Sequence, residues 1–151
     1  LERARAFYEE MFGFSVISKE GWSKNPLVDQ VIGCSDSSSR GYMLAGHNCY
    51  LELFEFSRPE AEGPQPADLP PHAPGIRHLC FFVDDVEAEY ERLLGLGGQV
   101  LGQPQKSSGI TAVYLRDPEG NIVELAEFPT AAENLCNLPG ISTLQSEVPH
   151  V

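Results

Sequence analysis

Apolar positions at the start of the chain recur at helical spacing. Ala4, Phe7, Tyr8, Met11 and Phe12 share one face, and Gly13 stops the run as a C-terminal glycine does. The pattern predicts a helix over residues 1–12. A period of two then takes over, with strands expected at 14–18, 41–45 and 48–56, the last two around a Gly46-His47 turn. Residues 21–39, with Pro26, read as a long polar loop, and 58–74, with six prolines, as a linker. Beyond it the pattern predicts a strand at 76–83, a helix at 86–94 closed by Gly95, a short strand at 99–101 and a strand at 111–116. A Pro118-Glu119-Gly120-Asn121 turn and a strand at 122–128 follow. The polar tail after Pro129 has no clear period.

The order of elements repeats. Tyr8-Glu9-x-Met11-Phe12-Gly13-Phe14 lies over Tyr90-Glu91-x-Leu93-Leu94-Gly95-Leu96, and Tyr42-Met43-Leu44 over Tyr114-Leu115-Arg116. Tyr50-Leu51-Glu52-Leu53-Phe54-Glu55-Phe56 lies over Ile122-Val123-Glu124-Leu125-Ala126-Glu127-Phe128. Two copies of one βαβββ unit explain all three matches. The expected class is α+β, one domain over 1–151 with module one at 1–57, linker 58–75, module two at 76–128 and tail 129–151. Aligning the helices backwards puts the counterpart of the 76–83 strand before Leu1, so the reading expects that strand upstream, absent from this sequence.

The repeat also aligns chemistry. Side chains alternate along a strand, so His78 shares a face with Ile76, Cys80 and Phe82, Glu52 with Tyr50, Phe54 and Phe56, and Glu124 with Ile122, Ala126 and Phe128. A carboxylate among apolar neighbours must be paired, protonated or metal-bound, because burying it bare costs several kcal/mol. Glu52 and Glu124 hold equivalent places, which a pseudo-twofold axis would bring towards one point. Glu55 and Glu127 form a second matched pair, and any one of the four taken singly fits a solvated strand face. A lone strand His is more often structural than a ligand. His47, His72 and His150 fall in turn, linker and tail and read as exposed. The joint placement of Glu52, His78 and Glu124 singles them out.

Charge narrows the partners. Twenty-two acidic against ten basic residues give a formal charge of -12, which excludes general binding to nucleic acid or to an anionic membrane surface. No apolar run approaches the roughly 20 residues of a membrane span. Cys34, Cys49, Cys80 and Cys136 form no CxxC pair and read as reduced thiols of a cytoplasmic protein, with Cys80 in the core.

The chain resembles the vicinal oxygen chelate superfamily of glyoxalases, bleomycin-resistance proteins and extradiol dioxygenases. The resemblance rests on Arg3-Ala4-Arg5-Ala6-Phe7-Tyr8-Glu9-x-x-Phe12-Gly13-Phe14, on Leu51-Glu52-Leu53-Phe54-Glu55-Phe56, on Gly75-Ile76-Arg77-His78-Leu79-Cys80-Phe81-Phe82-Val83-Asp84-Asp85-Val86 and on Asp117-Pro118-Glu119-Gly120-Asn121-Ile122-Val123-Glu124-Leu125. It spans Leu1 to about Phe128, and the last two motifs are specific for the superfamily though not for one activity. It implies paired βαβββ modules forming a cupped mixed sheet around a divalent metal. In the metal-dependent isomerase branch it implies Glu52, His78 and Glu124 as ligands, with a fourth, His or Gln, on the strand expected before Leu1.

Such a ligand set suits Zn, Ni, Co, Mn or Fe with water in the open positions. The implied activity is a metal-dependent lyase or isomerase of glyoxalase type, lactoylglutathione lyase-like, acting on a small oxygenated substrate through an enediolate-like intermediate. Glu124 is the implied proton carrier. For an anionic glutathione or coenzyme A substrate, Arg40, Arg58, Lys106 and Arg116 are the candidate cations. Two alternatives stand beside this reading. One is a metal-free binding protein of bleomycin-resistance type whose cup Trp22, Tyr42 and Phe54 could line; the other is an Fe(II) extradiol dioxygenase. A homodimer is also expected, with the Phe7 and Met11 helix face and the tail after Pro129 as contacts.

Overall fold

The computed structural model describes residues 1–46, 49–61, 63 and 67–128. The chain divides within the proline-rich segment into two compact units, Leu1–Gln65 and Pro66–Val151. The tail and His47 lie outside the described residues, as does His150; His72 is exposed.

The first unit runs α1 (Glu2–Phe12), β1 (Ser15–Ser23), α2 (Pro26–Ile32), β2 (Ser38–Gly46) and β3 (Cys49–Arg58), the strands forming an antiparallel sheet in the order β1-β2-β3. Gly13 closes α1 in the left-handed region at φ 66°, its N–H donating to the Glu9 carbonyl at 3.0 Å. Phe7 meets Tyr8 and Phe12 edge-on, and Tyr8 meets Phe14 in the same way. Phe7 and Met11 are 7% and 8% exposed, which removes them as the expected dimer contact.

The segment read as a polar loop over 21–39 contains the end of β1, all of α2 and the start of β2. Asn25 caps α2 by accepting from the Leu27 N–H at 3.0 Å, and Pro26 occupies the first turn, where a missing N–H costs nothing. Leu27, Val28, Val31 and Ile32 recur at helical spacing, yet none of its residues is buried.

The second unit runs β4 (His78–Phe82), α3 (Val86–Gly95), β5 (Gln99–Val100), β6 (Gln105–Ser107), β7 (Ile110–Arg116) and β8 (Ile122–Glu127). Its mixed sheet has the order β4-β8-β7-β5, with β6 also on β7; β4 and β8 are parallel and the other pairs antiparallel. Helix α3 packs on β7 and β8. Val86, Leu93, Val113, Leu115, Val123 and Leu125 are all 0–4% exposed and form this unit's core. The strand expected at 76–83 starts at His78, and Ile76 is 89% exposed.

The class is α+β, and the elements follow the repeat: α1, β1, β2 and β3 match α3, β5, β7 and β8. Strand β4 has no counterpart among the described residues of the first unit, so β3 is an edge strand where β8 is flanked on both sides. Cross-strand pairing corrects one alignment. Glu124 is opposite Tyr114, whereas Glu52 is opposite Met43, so Tyr114 corresponds to Met43 and not to Tyr42. Among the described residues no helix is long and apolar enough to cross a membrane.

Candidate active site on the final strands

The turn between β7 and β8 sets the position of Glu124. Asp117, 4% exposed, accepts from the backbone N–H groups of Glu119 and Asn121 at 2.9 and 2.8 Å and from Asn121 Nδ2 at 2.8 Å. Gly120 takes φ 86°, and a Cβ there would come within 2.6 Å of the Ala67 backbone, so only glycine fits. The buried Arg116 guanidinium donates to the carbonyls of Gly120 and Leu69 at 2.8 and 2.9 Å. These bonds fix Arg116 opposite Ile122 and hence Tyr114 opposite Glu124.

On the other side of β8, parallel pairing places Cys80 opposite Glu124 and His78 opposite Ile122. One sheet face therefore carries His78, Cys80, Glu124 and Tyr114. His78 Nε2 lies 3.1 Å from Glu124 Oε2, and the imidazole stacks on the Tyr114 ring with centroids 5.1 Å apart. The side chains of His78 and Glu124 are 39% and 20% exposed, open enough to reach a ligand.

Cys80, expected in the core, is exposed on the edge strand, directly opposite Glu124. Burial of the sulfur, with the Glu124 charge beside it, pushes the thiol up to about 12, which keeps it a neutral donor. Burial and the same carboxylate also raise the Tyr114 phenol above its usual 10.0. Neither contact is visible from periodicity in one strand; counting outward from the 117–121 turn gives the Tyr114–Glu124 pairing.

Glu52 lies in the other unit, exposed on β3. Its face carries Phe54 and Phe56, and Trp22 of β1 meets both rings edge-on at 5.3 and 5.5 Å. Tyr42 belongs to the opposite face: its hydroxyl donates to the Glu2 carboxylate at 3.1 Å and Arg5 lies over its ring, so it does not join Trp22 and Phe54.

The second matched pair of acids is explained by that opposite face. Glu127 accepts from the Val86 N–H at the start of α3 at 3.0 Å, and Glu55 binds Arg40 at 2.8 Å. Glu127 thus ties β8 to the start of α3, and Glu55 ties β3 to β2.

For a divalent metal, His78 and Glu124 supply one neutral nitrogen and one carboxylate on a common face, a fitting pair of donors. Among the described residues no group of three His, Cys, Asp or Glu stands ready to hold an ion, so the pair alone is brought together.

Residues 1–125 match the family model of the Glyoxalase/Bleomycin resistance protein/Dioxygenase superfamily. The glyoxalase domain-containing protein RDO1 of Mycosarcoma maydis is 36% identical over 72 residues, covering 44% of this chain and 40% of that protein. A putative lactoylglutathione lyase of Brassica oleracea var. gemmifera is 22% identical over 91% of this chain and 44% of its own length. The chain thus spans less than half the length of these two curated relatives. Among solved structures, a glyoxalase family protein from Bacillus cereus shares the fold, with a TM-score of 0.72 and 23% identity over 84% of this chain and 85% of that one. The chain belongs to the glyoxalase/bleomycin resistance protein/dioxygenase superfamily.

Proposed function

We propose that the protein is a metal-dependent lyase or isomerase of glyoxalase type that moves a proton between adjacent carbons of a small oxygenated substrate. The observation that carries this reading is the His78–Glu124 contact at 3.1 Å on an open sheet face. His78 and Glu124 would hold the divalent cation, with Zn, Ni, Co, Mn and Fe all compatible; Glu52 enters from the sequence alone as the third protein ligand. When bound, such an ion supplies Lewis-acid polarisation of neighbouring substrate oxygens.

Glu124 has the chemistry of the proton carrier. Its carboxylate would take a proton from carbon at one oxygen, beside the Cys80 thiol, which burial and the Glu124 charge keep protonated. His78 is held against Tyr114, so its ring cannot swing freely away from the carboxylate. The lactoylglutathione lyase name of the Brassica relative supports the reaction class.

Calorimetric titration with Mn(II) tests the site. One ion per chain is expected, bound at least about ten-fold more weakly by His78→Ala, Glu124→Gln and Glu52→Gln. On the loaded protein, deuterium exchange from solvent into a panel of small α-hydroxyketones should fall about 10²–10⁴-fold in Glu124→Gln. Binding indifferent to His78 and Glu124, or exchange indifferent to Glu124, would overturn the proposal. The homodimer is a further proposal, checked by light scattering over a wide concentration range; with Phe7 and Met11 buried, its contact falls on other residues.

A further inference from the structure

His78 opens β4, a strand of five residues that is an edge of its sheet among the described residues, and its side chain is 39% exposed. An imidazole in such a place has open rotamers, and one contact at Nε2 does not fix its ring plane. This ring is nevertheless held in two ways. Nε2 lies 3.1 Å from Glu124 Oε2, and the imidazole face meets the Tyr114 ring with centroids 5.1 Å apart and planes 35° apart.

Tyr114 reaches His78 from two strands away. Neighbouring strands run about 4.8 Å apart, so β4 and β7, with β8 between them, are roughly 10 Å apart. His78 is opposite Ile122 and Tyr114 opposite Glu124, so the two residues are also offset along β8. Rings only 5.1 Å apart must therefore both lean inward over β8. Tyr114 is the fixed member of the pair. Its neighbours Val113 and Leu115, on the other face, are 4% and 1% exposed, and the two backbone bonds of Arg116 pin the end of its strand.

The Tyr114 hydroxyl takes no part in this arrangement, having no hydrogen-bond partner among the described residues. What touches the imidazole is the aromatic face, and stacked rings attract beyond the area they bury. We propose that Tyr114 is a positioning residue of the candidate metal site, whose ring, and not whose hydroxyl, holds the His78 imidazole over β8 with Nε2 turned to Glu124. The ring contact stands on the geometry of the second unit alone; its consequence for an ion rests on the enzyme reading given above.

Proton NMR of the metal-free protein reads the contact. The His78 ring signals are those lost in His78→Ala. The ring current of residue 114 should displace them from their unfolded-peptide positions in the wild type and in Tyr114→Phe, and they should return towards those positions in Tyr114→Leu. Mn(II) titration reads the consequence. Tyr114→Leu should bind about ten-fold more weakly, as loss of a group that orients a ligand implies, and Tyr114→Phe should stay within about three-fold of the wild type. In a His78→Ala background Tyr114→Leu should cost no further affinity, because its effect runs through His78. Tyr114→Val, which suits a strand, takes the place of Tyr114→Leu if the leucine variant lacks the wild-type circular dichroism spectrum.

Equal losses of affinity in Tyr114→Phe and Tyr114→Leu would overturn the proposal by assigning the work to the hydroxyl. Undisplaced His78 signals in the wild type would overturn it too, as would the same loss of affinity with His78 and without it, since Tyr114 would then act on the fold at large. Failure of the metal reading looks different. Displaced His78 signals in a protein that binds no Mn(II) leave the ring contact standing and defeat the enzyme. Mn(II) bound equally by the wild type and Tyr114→Leu keeps the metal site and defeats the positioning role.

Discussion

Strands β3 and β8 end their units with nearly the same sequence, Leu51-Glu52-Leu53 against Val123-Glu124-Leu125, yet their surroundings differ. Strand β8 is paired on both sides, and its Val123 and Leu125 are completely buried. Strand β3 is paired on one side among the described residues, and Leu51 and Leu53 are only half-buried. The same central glutamate therefore meets His78, Cys80 and Tyr114 in one unit and Met43 and an aromatic cluster in the other. A repeat preserves the strand and the carboxylate, and the neighbouring strands decide what the carboxylate can do.

The largest effect should come from the buried side of this comparison. Leu125→Ala removes a fully buried side chain and should lower the stability of the protein by about 2–5 kcal/mol, whereas the matching Leu53→Ala should cost less than half as much. Urea unfolding followed by circular dichroism reads both. Equal losses would show that β3 is as enclosed as β8.

Next in size is Gly41→Ala. The added Cβ would meet the Leu53 carbonyl oxygen at 2.4 Å as well as the Phe54 ring, so backbone and ring must both shift. A loss of about 1–3 kcal/mol is expected, with altered Trp22 emission because Phe54 packs on Trp22. Unchanged emission would mean that Phe54 does not depend on the missing side chain.

The outline of this fold was legible because helix and strand periods are carried by buried residues. The end of α1 at Gly13, the strand around Glu124 and the helix at Val86 all follow from apolar spacing. What was illegible lacks a buried face. Strand β6 is Gln-Lys-Ser, exposed throughout and defined only by its pairing with β7. Helix α2 is seven residues long and keeps Leu27 and Val31 at 73% and 85% exposed, so its short apolar spacing buries nothing, and its Asn25-Pro26 start marks it.

At the site, His78 and Glu124 stood out as polar residues on apolar strands. That they touch depends on the parallel pairing of β4 with β8, strands about 40 residues apart in the chain, which no local pattern encodes. The same pairing brought Cys80 to Glu124 rather than into the core. The role of Glu127 likewise needed the start of α3 to be placed beside it.

A smaller effect distinguishes the two helix starts. Asp85 caps α3 by accepting from the Ala88 N–H at 2.9 Å, while Leu1 offers α1 no side-chain cap. Asp85→Ala should cost about 1 kcal/mol in the same unfolding measurement. Glu127, which already accepts from Val86, can hold the helix start in part, so a loss near zero would mean that it suffices alone.

The smallest effect concerns the α2 insertion, a helix with no counterpart among the described residues of the second unit. Asp29 of α2 accepts from the Ser37 hydroxyl and from the backbone N–H groups of Asp36 and Ser37, and these bonds, the hydroxyl's first, hold its carboxyl below the usual 3.8. A depressed folded-state value means that the ionised carboxylate favours the folded loop. That contribution is complete above pH 3.8 and disappears as the pH falls through the lower folded value. Because Ser37 Oγ links Asp29 to Trp22 Nε1, loss of the charge should be seen in Trp22 emission. A reversible emission change is therefore expected below about pH 4, ahead of any loss of far-ultraviolet circular dichroism. Asp29→Asn should show much of that change already at neutral pH and little further change on acidification. If the wild-type and Asp29→Asn emission curves coincide, the link from α2 to the aromatic face is absent, and the difference between the two units ends at their strands.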